Sequence, residues 1–176
     1  MIPTSTSFDK MFRSSVVKAF SFLTEKWNFQ FCGISCDELA DPRDRRTMVR
    51  YRGTEAFVDV VLTNIGLGLF VYLWPANSTT PNKPCWDLRP TNVINFDYFL
   101  KAKFGDTISP LFANLKKPIY LTDMYNQQPG QYTKLMASRL PEAIEAMAAR
   151  FKLLGGEAVG YSATPWGTGR GQRHAG

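Results

Sequence analysis

Histidine is almost missing from this chain of 176 residues: there is one, His174, near the C-terminus. A histidine triad, a histidine metal cluster and a core-anchored histidine base are therefore expected to be absent. Cysteine is scarce and odd in number, at Cys32, Cys36 and Cys85. An odd set argues against a disulfide framework, and no secretory signal is read ahead of it. The expectation is a cytoplasmic protein with reduced thiols. Long apolar runs are also lacking. The longest, Ile65 to Trp74, falls far short of the roughly 20 residues a spanning helix needs, so no membrane segment is expected.

Phosphate-binding glycines are wanting in the required form. Gly66-Leu67-Gly68 precedes a strand pattern, whereas a phosphate cradle needs glycines that open a helix. No calcium-loop spacing is present either. Asp37, Glu38, Asp41 and Asp44 crowd one segment, but Arg43, Arg45 and Arg46 interleave with them, so local ion pairing accounts for the run. Cys32 and Cys36, four apart on a strand, would share a face. A redox or metal pair is sterically allowed there, and buried inert thiols are the simpler reading. No metal and no cofactor is expected, and no enzyme is read from these residues.

What the chain does have is apolar bulk. Hydrophobic residues make up 44%, with 13 Phe, 7 Tyr and 4 Trp, enough to fill one core without metal or disulfide staples. The formal charge is +6. Residues 1–154 hold 19 Lys/Arg and 14 Asp/Glu, so +5 of it belongs to the body. A basic body favours an acidic partner, protein or nucleic acid, and is equally what ordinary solubility requires.

The apolar spacing predicts a helix over residues 7–27, with Phe8, Met11, Phe12, Val16, Phe20, Leu23 and Trp27 on one stripe and Asp9 in the first turn. Strand patterns follow at 28–36, 47–52, 55–64 and 69–74, joined by short turns that favour an antiparallel meander. A loop is read at 75–84. A helix is expected over 92–104, ended by Gly105 in a left-handed cap. Another short one is expected at 108–115, and a last helical pattern over 131–154. In that last pattern Pro141 either starts a new helix, the preferred reading, or kinks a long one, and Gly155-Gly156 closes it. The predicted architecture is α+β: an N-terminal helix, a four-stranded meander, and C-terminal helices on one sheet face. Residues 1–156 form a single domain. Residues 157–176 are read as a flexible Gly/Arg-rich tail, too poor in aliphatic side chains to pack.

Two clusters invite a partner. Arg50 and Arg52 project from one strand face with Asp59 and Thr63 from the next, giving a mixed polar face open to solvent or a partner. The alternative is that these arginines pair with Glu55 or Asp59 across the hairpin. Trp74 and Trp86 bracket a loop that either carries recognition or covers its own two rings.

The layout resembles that of small bacterial immunity proteins of polymorphic or contact-dependent toxin systems. The resemblance is carried by Phe20-Ser21-Phe22-Leu23 ending the first helix, Asn28-Phe29-Gln30-Phe31, Val49-Arg50-Tyr51, Phe57-Val58-Asp59-Val60, and the helix ending Arg150 to Gly156. It spans most of residues 8–156 as spacing. It implies a non-catalytic domain that binds a toxin domain and occludes its working surface. The basic body departs from the acidic character of many nuclease-blocking members, so an acidic, nucleic-acid-mimicking surface is not implied. The residues expected to meet the partner are Arg50, Arg52, Asp59, Trp74 and Trp86. The alternative is a nucleic-acid-associated protein using the basic strand and the Arg/Gly tail.

Overall fold

The computed structural model describes residues 5–37, 46–63, 68–77, 93–105 and 129–163. It is an α+β fold. Helix α1 (Ser5–Ala19) and the single turn α2 (Ser21–Glu25) lead into strands β1 (Gln30–Asp37), β2 (Arg46–Arg52), β3 (Ala56–Thr63) and β4 (Gly68–Pro75). A two-residue strand β5 (Ile94–Asn95), helix α3 (Phe96–Phe104) and helix α4 (Pro129–Ala163) complete it.

The helix expected over 7–27 is two helices. At Phe20 the backbone leaves helical geometry (φ −96°, ψ 14°), and the Leu23 amide donates to the Phe20 carbonyl three residues back. The apolar stripe survives the break because both pieces bury the same side: Phe12, Val16, Phe20, Phe22 and Leu23 are all in the core. Asn28, with φ 58°, then turns the chain into β1. Asparagine tolerates this left-handed conformation better than most residues.

The sheet has the order β1-β2-β3-β4-β5, and every neighbouring pair is antiparallel. It therefore has five strands, not the four expected. Ile94-Asn95 is too short to show an alternation, and it pairs with Leu73 and Tyr72. Asn95 also caps α3, its side-chain oxygen accepting from the Asp97 amide at 2.9 Å. Gly105 closes α3 in the predicted left-handed cap, φ 69°.

One sheet face packs under the helices. Val49, Tyr51, Val58, Val60, Leu62, Leu69, Val71 and Leu73 meet residues of α1 and α4 in a single core. Phe151 of α4 lies at the centre of the aromatic packing, its ring 4.9 Å from Phe96, 5.9 Å from Trp27 and 6.1 Å from Phe20. Burying one such side chain contributes about 1.5–3 kcal/mol. A Lys103–Glu157 ion pair ties α3 to α4 on the outside.

Two expectations about α4 are corrected. It is one helix with Pro141 inside it, not a helix started there. It also runs through Gly155-Gly156 to Ala163, so residues 157–163, read as tail, are helical. Gly155 is not a stop signal. A Cβ on it would lie 2.8 Å from the Phe151 ring, so glycine is needed there for close packing, and the next turn buries Ala158 completely. Residues 78–84 of the loop read at 75–84, the helix at 108–115, Cys85, Trp86, His174 and the remaining tail lie outside the described residues.

Candidate functional site

The strand register places Arg50 opposite Asp59, Tyr51 opposite Val58, and Arg52 opposite Phe57. Arg50, Arg52, Phe57, Asp59, Tyr72 and Trp74 therefore share the second sheet face, the one turned away from the helical core. The sequence reading had the face right and its environment wrong. Arg50 is 1% exposed and Asp59 0%, with Phe57, Val61 and Trp74 buried beside them. The alternation of charges with β-branched and aromatic residues allowed two outcomes. Burial prevails because most of the face is apolar and its central charges cancel.

That cancellation is geometrically tight. Arg50 Nε donates to Asp59 Oδ1 and Arg50 Nη2 to Asp59 Oδ2, both at 2.7 Å, a bidentate fork. The guanidinium also stacks 5.1 Å from the Phe57 ring centre. Burial pushes the Asp59 carboxyl above its ordinary range, and Arg50 opposes the rise. The Trp74 indole nitrogen lies near enough to favour the ionised carboxylate but outside hydrogen-bond geometry, and it has no partner among the described residues. Arg50 and Asp59, expected on an open sheet face, and Trp74, expected to meet a partner beside a loop, are thus interior groups. Of the five residues expected to meet a partner, Arg52 alone is exposed among those described, its guanidinium 5.9 Å from the centre of the same Phe57 ring.

The cysteines are separated by a feature that period-two reasoning cannot see. The β1–β2 register slips between Phe31 and Gly33, and Gly33 has φ +128°. This bulge puts an extra residue into β1 and turns Cys32 and Cys36 to opposite faces. Cys36 lies on the α1 side, 3.6 Å from the Thr47 hydroxyl and 3.7 Å from an Arg13 nitrogen. Cys32 lies on the other side, where the charges of Arg50 and Arg52 reach it. It is exposed, not buried as read. Partial burial raises its thiol above the ordinary value, and those arginines oppose the rise.

The outer flank of β1 is the part of the described surface that sequence reasoning missed. β1 ends the sheet order, and among the described residues it pairs with β2 alone. Gln30, Phe31 and Cys32 are exposed and Gly33 to Cys36 half-buried. Phe31 is 47% exposed and leans edge-on against Tyr51, ring centres 5.9 Å apart. Of the two aromatic residues Phe29 and Phe31, only Phe29 is buried. A groove of about 310 Å³ opens between α2 and α4, lined by Phe22, Glu25, Lys26, Glu145 and Lys152 among others, with charges of both signs. No three His, Cys, Asp or Glu residues converge among the described residues. No helix there is long and apolar enough to cross a membrane. Compared with known proteins, the chain matches no protein-family model, no curated protein and no solved structure.

Proposed function

We propose that the chain is a non-catalytic protein-recognition domain of the cytoplasm, and that its partner is a toxin domain whose working surface it covers. The toxin identity rests on the sequence resemblance. The recognition reading is supported by the β1 flank: a half-exposed Phe31 on an end strand, with the exposed Arg52 on the neighbouring strand across from Gln30. Aromatic and arginine side chains of this kind dominate protein interfaces. The ionic groups in the sheet interior are engaged with each other, which leaves Arg52 as the arginine of β2 best placed to meet a carboxylate. That same engagement weakens the nucleic-acid alternative, since Arg50 is neutralised by Asp59.

The test is a direct titration of a partner purified from the source cells with the full chain, followed by co-expression to score relief of toxicity. Phe31→Ala and Arg52→Ala should each weaken binding by about 2 kcal/mol or more. Wild-type affinity in both variants would refute the assignment of this surface. Capture of nucleic acid alone, with affinity falling steeply as salt rises, would refute the protein-recognition reading.

A further inference from the structure

We infer that the partner is received by strand addition: an extended, acidic segment of another protein hydrogen-bonds along the outer edge of β1. This rests on the protein-recognition reading and specifies its mode. In an antiparallel pair, alternate residues of a strand direct N–H and C=O groups away from their neighbour. For an end strand those groups form a ready template for another chain. β1 is such a strand, with no pairing beyond β2 among the described residues and none of Gln30 to Cys36 buried.

The bulge sets the length and selectivity of the match. It interrupts the ladder at Cys32, leaving Gly33–Asp37 as one continuous run. An end-strand bulge blunts indiscriminate pairing. A partner must therefore offer a segment of about five residues, some 17 Å long, in a fitting register. Phe31, on the near side of the bulge, gives that segment an apolar contact.

Charge selects the chemistry of the occupant. Residues 5–37 and 46–52 carry Lys10, Arg13, Lys18, Lys26, Arg46, Arg50 and Arg52 against Asp9, Glu25 and Asp37. Arg50 is neutralised by Asp59, and Asp9 is buried against Thr47. Residues 38–45 add three acids and two bases, and the sum stays positive. Lys10, Lys18, Lys26 and Arg52 are exposed, as is Glu25. A segment bearing Asp or Glu is attracted. A second copy of this chain, itself +6, is repelled.

The experiment uses the full chain and a displayed library of random twelve-residue peptides, then a synthetic peptide of the enriched sequence. Enriched sequences should alternate apolar residues with Asp or Glu. The synthetic peptide should slow hydrogen exchange of the amides of residues 30–37. Arg52→Glu should weaken it at least tenfold. Ile34 and Ser35 direct their amides to opposite edges of the strand, so one of Ile34→Pro and Ser35→Pro spares the β1–β2 ladder. The variant that keeps the native fold should lose the peptide. Enrichment of non-acidic sequences overturns the inference, as does wild-type binding by the folded proline variant. A chain that sediments alone as a dimer with residues 30–37 protected also overturns it, in favour of self-pairing. A natural partner that binds but protects other amides overturns strand addition and leaves protein recognition standing. Failure of both the natural partner and the library to bind overturns both.

Discussion

Removing the Asp59 carboxylate should be among the most damaging single changes this fold can suffer. Asp59 and Arg50 are 0% and 1% exposed, and the two 2.7 Å bonds between them satisfy both carboxylate oxygens. Asp59→Ala strips both bonds and leaves a guanidinium in the interior. Breaking a buried pair in this one-sided way costs about 3–5 kcal/mol. For a domain of this size each kcal/mol lowers Tm by about 2–4 °C, so the fall should be about 6–20 °C. Arg50→Met with Asp59→Leu removes both charges and keeps apolar volume. Its stability should lie within about 1 kcal/mol of wild type, or exceed it. Urea unfolding followed by tryptophan fluorescence, on the wild type, Arg50→Met, Asp59→Leu and the double variant, gives the full cycle. pH adds an independent check. The folded chain holds the Asp59 proton at a pH where the unfolded chain, near the ordinary value of 3.8, has released it. The contribution of Asp59 is therefore full below that value and is lost as pH rises through its raised folded value. Wild type should accordingly lose stability relative to the double variant as pH climbs above about 4. An Asp59→Ala loss below about 1 kcal/mol, or a double variant as unstable as Asp59→Ala, would refute the pairing as described.

Other substitutions probe local packing. Gly53→Ala would bring a Cβ within 2.7 Å of the buried Phe29 ring; chemical denaturation should show a loss of about 1–3 kcal/mol. Thr47→Val removes the hydroxyl that donates to buried Asp9 at 2.8 Å and joins α1 to β2; the same assay should register about 1–3 kcal/mol. Burial holds the Tyr51 hydroxyl above its ordinary value of 10.0. Stability should thus decline as pH rises through 10, where the unfolded chain ionises first. Chemical denaturation on either side of pH 10.0 should show Tyr51→Phe losing less stability than wild type.

The fold was legible where one physical signal dominated. The helix stripe of Phe12, Val16 and Phe20, the alternation of Val58, Val60 and Leu62, and the cap at Gly105 each follow from local chemistry, and each is present. The misreadings occur where a local signal was overruled by distant packing. Gly155-Gly156 looks like a helix end until Phe151 is seen to need the space. Ile94-Asn95 becomes a strand only because β4 offers it an edge. The candidate site was legible only in part. Arg50 and Asp59 were correctly placed on one face, and their cross-hairpin pairing was among the alternatives. A single sequence carries no sign that the face is covered, nor that one inserted residue at Cys32 turns the two thiols apart.

The meeting of α1 with α4 has a consequence for biosynthesis. Phe20 and Trp27 complete their packing against Phe151, a residue far later in the chain. At roughly 5–20 residues per second, the ribosome leaves the early helix without that partner for about 7–26 s. The hairpins of the meander, in contrast, join neighbours in sequence and can form as they emerge. A nascent chain therefore passes through a stage with sheet formed and the N-terminal stripe still bare, the state in which a chaperone would find most to hold.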